Sequence, residues 1–162
     1  MKANINTKDM TTDIDISGIE KKRFRLDKDD NKIIYLATTD LNILPRLESA
    51  IKEINKLQDK HNEFAAKYAS ISDADENNIS EISSYFAEIE KAMRDQINYI
   101  FDYDVCTPAL GAASVFDPVD GQFKYEYLIN RLIALYEKDI RKETRIMQER
   151  ISKHTAKYKA AK

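Results

Sequence analysis

The chain has 162 residues, of which 33% are charged and 43% apolar, with no tryptophan and only three glycines. This composition is typical of one helix-rich domain and argues against a sheet-dominated sandwich or barrel. A single cysteine excludes an internal disulfide, and no apolar run approaches the roughly 18 residues of a membrane span. The N-terminal stretch lacks the apolar segment of a signal peptide, so we expect a protein that stays in the cell that made it and does not bind membranes.

Charge is distributed unevenly, although the formal net charge is only −2. Residues 1–40 are balanced, residues 41–138 carry ten basic and seventeen acidic side chains, and residues 139–162 carry eight basic and three acidic ones. An acidic body with a basic C-terminal extension indicates self-association or an anionic partner. The alternative is a solvated helix end whose cations only keep the protein soluble.

The chain begins with a polar stretch that has isolated isoleucines and no sustained period. We predict that residues 1–20 form a mobile N-terminal arm, with Gly18 as a break. If part of this arm becomes ordered, we expect it to do so against another chain.

Residues 22–38 carry the pattern of a β-hairpin. Apolar residues alternate with arginines over 23–26, and the β-prone run 33–36 forms the return strand. A calcium-binding loop in the acidic turn is disfavoured, because its sixth position holds Lys32 instead of glycine and its twelfth holds Thr38 instead of glutamate.

Three long helices are predicted next, over residues 41–69, 79–102 and 123–158. Thr39 or Asp40 is the expected cap of the first helix. Large apolar residues recur at spacings of three and four in all three helices, so that each has one apolar stripe. The first stripe contains Leu44, Leu47, Ile51, Ile54, Leu57, His61, Phe64 and Tyr68.

The second helix carries its stripe opposite a charged face and begins with a predicted capping box of Asn78 and Glu81. A short polar turn joins it to the first helix, which favours an antiparallel pair. At 1.5 Å per residue the third helix spans roughly 54 Å against roughly 43 Å for the first, so it extends past the bundle.

The predicted fold is therefore mainly α: an N-terminal β-hairpin followed by a bundle of three long helices, the third overhanging. We divide the chain into the arm (1–20), the hairpin with the helical bundle (21–140) and a basic C-terminal helix extension (141–162).

The segment between the second and third helices, residues 102–124, is called the elbow below. It holds two of the three glycines, two of the three prolines and the only cysteine, Cys106, and it is unusually apolar for a connection. Such a loop either folds back under the helices or offers apolar contacts to a partner.

Signatures of catalysis are absent from the sequence, which has no phosphate-binding glycine loop, HExxH, CxxC or Gly-x-Ser-x-Gly. His61 and His154 are far apart in the chain, so neither a zinc site nor a cofactor is expected. Cys106 would be a nucleophile only with a histidine beside it, and a small buried hydrophobe is the simpler interpretation. His61 itself is interpreted as a satisfied residue at a helix interface. We expect a protein that is not an enzyme.

The basic end of the third helix resembles a phosphate-binding surface only in its charge. The acidic body, a pI near 5.8 and the lack of an aromatic platform argue against nucleic-acid binding.

Three segments carry a resemblance to known proteins: KRFRLDKDDNKIIYLATTDLNILPRL (22–47), FDPVDGQFKYEYLINRLIALYE (116–137) and MQERISKHTAKY (147–158). Together they resemble the tail assembly chaperones encoded in the tail modules of phages and prophages of Gram-positive bacteria. The resemblance implies a helical protein in the cytoplasm of the bacterial host. It would coat the long tape measure protein before the tail tube polymerises and then be displaced.

We derive the partner-binding residues from this sequence alone, because the family has no binding motif to transfer. Val115, Phe116 and Phe123 of the elbow, and Tyr125 directly after it, are predicted to contact the client. Arg145, Met147, Arg150 and Ile151 of the third helix are predicted to join copies of the chain. The competing functions are a structural minor tail or connector protein retained in the virion, and a helical adaptor acting on a host protein.

Overall fold

The computed structural model describes residues 11–16, 18–68 and 75–160, and in this part the chain is mainly helical. An N-terminal two-stranded hairpin is followed by long helices, which confirms the predicted fold class. The elements are β1 (Lys22–Arg25), β2 (Ile33–Leu36), α1 (Ile43–Lys67), α2 (Glu76–Phe101), α3 (Cys106–Leu110), β3 (Pro118–Val119), β4 (Gln122–Phe123) and α4 (Lys124–Ala160).

The hairpin pairs β1 with β2 in antiparallel register, with Lys22 opposite Leu36. Alternation along β2 buries Ile34 and Leu36 in the helical core and leaves Tyr35 outside. The strand therefore covers one side of the helical bundle, and its face with Ile34 and Leu36 is shielded from water.

Asp139 of α4 fastens this hairpin to the bundle. Its Oδ2 accepts hydrogen bonds from Thr38 Oγ1 at 2.5 Å and from Lys22 Nζ at 2.7 Å. These two hydrogen bonds lower the pKa of the Asp139 carboxyl below its ordinary value of 3.8. The carboxylate therefore keeps its charge at the point where α4 begins to leave the body.

Helices α1 and α2 run antiparallel, as predicted. Arg46 near the start of α1 donates from Nε to the carbonyl of Ile100 near the end of α2 at 2.9 Å. At the opposite end, the ring of Phe64 stacks on Tyr85 with 4.4 Å between centroids. The pair meets through Ile54 of α1 and through Ile89, Met93, Ile97 and Ile100 of α2, all buried.

Two predicted details of these helices are wrong. The cap of α2 is Asp75, whose carboxylate accepts from the Asn78 backbone N–H at 2.8 Å, so the cap lies three residues before the predicted Asn78 cap. In α1 the core is formed by Ile43, Ala50 and Ile54, which leaves Leu44 and Ile51 of the predicted stripe exposed.

The cap of α1 also differs, since Asn42 occupies that position without a side-chain hydrogen bond. Asp40, one of the two predicted caps, instead accepts from the Asn42 N–H at 3.0 Å and pairs with Arg46.

Helix α4 begins at Lys124, close to the predicted position, and contributes Tyr125, Leu128, Leu132 and Tyr136 to the core. Its N-terminus is supported by Glu126, whose Oε2 accepts from the Phe123 N–H at 2.9 Å. Beyond Ile140 every described side chain is exposed. We call residues 141–160 the overhang; at 1.5 Å per residue it spans roughly 30 Å.

Across the described residues, none of the helices combines the length and the apolar character that a bilayer crossing requires.

Candidate partner-binding surfaces

Three polar side chains of α2 hold the elbow in place: Glu90, Arg94 and Asn98. Their spacing of four residues places them on one helix face, one above the other. We call them the polar ladder of α2. The sequence analysis singled out none of the three, whereas in the structure each side chain binds a different part of the elbow.

Glu90 binds the middle of the elbow. Its carboxylate accepts from the Val115 backbone N–H at 3.0 Å and from the Ser114 hydroxyl at 2.8 Å. It also accepts from Arg94 Nε at 3.0 Å on the same helix. The half-buried carboxylate therefore meets one cation and two elbow donors, which compensates its desolvation.

Arg94 and Asn98 bind the earlier part of the elbow. Arg94 Nη2 donates to the Ala113 carbonyl at 2.7 Å and to the Gly111 carbonyl at 3.2 Å. Asn98 Oδ1 accepts from the N–H groups of Val105 and Cys106 at 2.9 and 3.0 Å, where α3 begins. Backbone groups that a loop would expose to water are thus satisfied by α2.

The backbone held in this way directs the elbow's apolar side chains inward. The ring of Phe116 lies flat on the imidazole of His61 of α1, with centroids 3.8 Å apart and an interplanar angle of 2°. Phe123 meets Phe116 edge-on at 5.7 Å. The Tyr125 hydroxyl donates to Gln58 Oε1 at 2.5 Å, which ties the start of α4 to α1.

The predicted client contacts at the elbow are therefore not on the surface of this fold. Val115, Phe116 and Tyr125 are buried and Phe123 is half-buried, so they lie in the core instead of on a surface. Of the two possibilities open for an apolar loop, the structure takes the first: the elbow folds back under the helices.

His61 lies at a helix interface, as predicted, but it is not satisfied. Its Nδ1 is buried with no hydrogen-bond partner among the described residues. Burial lowers the pKa of the His61 imidazole below 6.5, and the nearby charge of Glu90 opposes this shift only in part. The neutral ring therefore acts here as an aromatic surface for Phe116.

Cys106 is buried, as predicted, with its Sγ 3.8 Å from the Arg94 carbonyl. Burial raises the pKa of the thiol to about 12. The thiolate that nucleophilic chemistry needs is therefore not populated near neutral pH.

The second predicted group of residues lies in the overhang and is exposed throughout: Arg145, Met147, Arg150 and Ile151. Met147 and Ile151 each expose 60% of their surface. Among the described residues, no acidic side chain forms a salt bridge with Arg145 or Arg150. Within the part of the chain that the structure describes, the overhang is thus an exposed apolar and cationic surface.

Two shallow grooves run along the overhang. One is lined by Met147, Arg150, Ile151, His154 and Thr155, and the other by Ile146, Glu149, Arg150, Lys153, His154 and Lys157. Arg150 borders both grooves, so an apolar side chain seated in either would have a cation beside it.

A smaller exposed apolar pair lies on α1, where Leu44 exposes 60% and Ile51 43% of its surface. It is matched in chemistry to Met147 and Ile151 but lies on the body, which makes it a natural control for the overhang.

Comparison with known proteins adds no relative: no protein-family model matches the chain, and no curated protein or solved structure is significantly similar to it.

Proposed function

We propose that this chain is a non-enzymatic protein of the tail assembly chaperone type, which binds the tape measure protein of a phage tail before the tail tube polymerises. The observation that carries the proposal is the overhang: twenty residues of helix with exposed apolar side chains that make no part of the body's core. Ordering such a segment without covering it contributes little to folding.

The chemistry of the overhang favours one class of client. Ile146, Met147 and Ile151 offer apolar contacts along one stretch of helix, and the surrounding arginines and lysines offer positive charge. An amphipathic helix with acidic residues beside its apolar stripe matches this surface by helix-to-helix docking. A long helical tape measure with exposed apolar stripes belongs to this class of client.

The client contacts are accordingly assigned to the overhang and not to the elbow. The elbow contributes indirectly, because it fixes the start of α4 through Tyr125 and Glu126 and so sets the direction in which the overhang leaves the body.

Co-expression of the tagged chain with the tape measure protein of the same tail module tests the proposal. Replacing Met147 and Ile151 together by serine removes two apolar contacts of about 1.5–3 kcal/mol each if both become buried, so co-purified tape measure should fall at least tenfold. The control is the Leu44→Ser/Ile51→Ser pair, which should leave co-purification unchanged. Circular dichroism establishes that both variants fold.

Undiminished co-purification by the Met147→Ser/Ile151→Ser variant contradicts the assignment of the client site. An equal loss in the α1 control contradicts it as well, since the loss would then not be specific to the overhang. A structural virion component is distinguished by mass spectrometry of purified particles, in which a chaperone is absent and a connector or minor tail protein is present.

A further inference from the structure

A pocket of about 350 Å³ lies on the body, where the turn between β1 and β2, helix α3 and the first turns of α4 meet. The apolar part of its lining is formed by Leu26, Ala109, Leu110, Leu128 and Leu132. Three of these leucines are buried, so they belong to the core and hold a fixed shape. The volume lies near the lower end of the range for small-molecule sites, which favours a small ligand.

The hairpin contributes charges to this pocket that are already compensated. Arg25 Nη1 pairs with Asp30 Oδ1 at 2.8 Å, and Asp27 Oδ2 pairs with Lys32 Nζ at 3.3 Å. The backbone of the turn is fixed as well, since the Leu26 N–H donates to the Lys32 carbonyl at 2.8 Å. The hairpin side of the pocket is therefore preformed and close to neutral.

Helix α4 contributes two cations, Lys124 and Arg131, that form no salt bridge with any described residue. Lys124 is half-buried. The guanidinium of Arg131 lies over the ring of Tyr127, with Cζ 4.7 Å from the centroid, and Nη2 donates to the Tyr127 hydroxyl at 2.7 Å. Arg131 has further N–H donors that this hydrogen bond does not use.

The spacing of the two cations places them on one face of α4. Lys124 and Arg131 are seven residues apart, which is two turns and roughly 10 Å along the helix axis. Both side chains are long, so they can approach one anionic group from opposite sides. The pocket thus combines an apolar lining with two cations that lack a counter-ion in the described chain.

We propose that this pocket binds a small carboxylic acid with an apolar body. The apolar body lies against the leucines, and the carboxylate lies between Lys124 and Arg131, where it supplies the missing negative charge. Asp27 in the same lining repels a doubly charged phosphate ester more strongly than a singly charged carboxylate, which favours the acid. None of the lining residues belongs to the overhang, so the inference is independent of the client proposed above.

Titration of the full chain with phenylacetate, followed by heteronuclear NMR, tests this proposal. We expect saturable binding with a Kd in the low-millimolar range or tighter, and the largest shifts at the amides of Ala109, Leu110, Lys124 and Leu128. Phenylacetamide keeps the apolar body but has no charge, so it should bind at least about fivefold more weakly.

Two variants separate the charged part of the lining from the apolar part. Lys124→Met/Arg131→Met should weaken phenylacetate binding at least about fivefold. Its control, Lys138→Met/Arg141→Met, removes the same two charges from exposed positions of α4 outside the pocket and should leave the Kd within about twofold of the wild type. Ala109→Leu keeps every charge but fills the apolar part, so it should also weaken binding. Circular dichroism checks that each variant folds.

Several results would overturn the inference. Phenylacetate that fails to saturate at millimolar concentrations removes the site. Equal binding of phenylacetamide, or equal losses in the Lys124/Arg131 variant and its control, removes the role of the two cations. Tighter binding of phenyl phosphate would assign the pocket to phosphate esters, and tighter binding of glycylglycylphenylalanine would assign it to the C-terminus of a peptide chain.

Discussion

Replacing Phe116 by alanine should destabilise the protein by about 3–5 kcal/mol, the range found when a large aromatic side chain is removed from a core. The ring is buried against His61, Phe123 and Tyr125, so its loss leaves a cavity where the elbow meets α1. Urea unfolding followed by circular dichroism measures the change.

Two control variants make this measurement decisive. Phe116→Leu keeps most of the apolar volume and should lose less than half as much. Met147→Ala in the exposed overhang should change stability by no more than about 0.5 kcal/mol. If Phe116→Ala costs no more than Met147→Ala, the elbow is not part of the core, and its residues return as candidates for the client surface.

Replacing Glu90 by alanine should have the second largest effect, a loss of about 3 kcal/mol. The substitution leaves the Val115 N–H and the Ser114 hydroxyl without their acceptor and Arg94 without its carboxylate. Because these groups are partly buried, water replaces the lost hydrogen bonds poorly. The free energy of unfolding by urea is again the quantity to measure.

Glu90→Gln separates the hydrogen bonds from the charge, since the amide oxygen still accepts from Val115 while the pairing with Arg94 is weakened. We expect it to lie between the wild type and Glu90→Ala. Glu88 is a neighbouring exposed glutamate on the same helix, and Glu88→Ala should lie within about 0.5 kcal/mol of the wild type. Equal effects at positions 88 and 90 would mean that the polar ladder does not hold the elbow.

Periodicity was sufficient to predict the N-terminal hairpin and the long helices. The hairpin follows from the alternation over 23–26 and from the β-prone run 33–36, and the long helices follow from spacings of three and four, because these patterns reflect which face of an element is buried. Boundaries were less certain, since a cap is decided by one hydrogen bond. Asp75 and Asn78 both suit the cap position of α2, and only the structure shows that Asp75 takes it.

The elbow could not be predicted from local pattern, because its burial depends on contacts far away in the chain. Its apolar residues are equally compatible with a core and with a binding surface. The polar ladder decides between them, because its side chains on α2 form hydrogen bonds with backbone groups of the elbow. The one available signal was the spacing of four between Glu90, Arg94 and Asn98, which places them on one face of α2.

The overhang was predictable because it depends on the length of the third helix relative to the other two. A helix longer than its bundle must leave the body, and its thinning apolar stripe and rising positive charge are visible in the sequence. The rotation of α1 was not predictable in the same way. Leu44 and Ile43 are adjacent, and either could have begun the buried stripe.

Native-state hydrogen exchange, measured for individual amides, tests the central claim most directly. The claim is that the elbow belongs to the folded body, whereas the overhang remains exposed and available to partners. Under monomeric conditions at high salt, the Val115 and Tyr125 amides should exchange only through openings nearly as costly as those of Met93 and Ile97 in α2. Amides of residues 145–157 should exchange through local fraying at a much lower free energy. Elbow amides that exchange as readily as the overhang, or overhang amides in the monomer as protected as those of α2, would contradict this account.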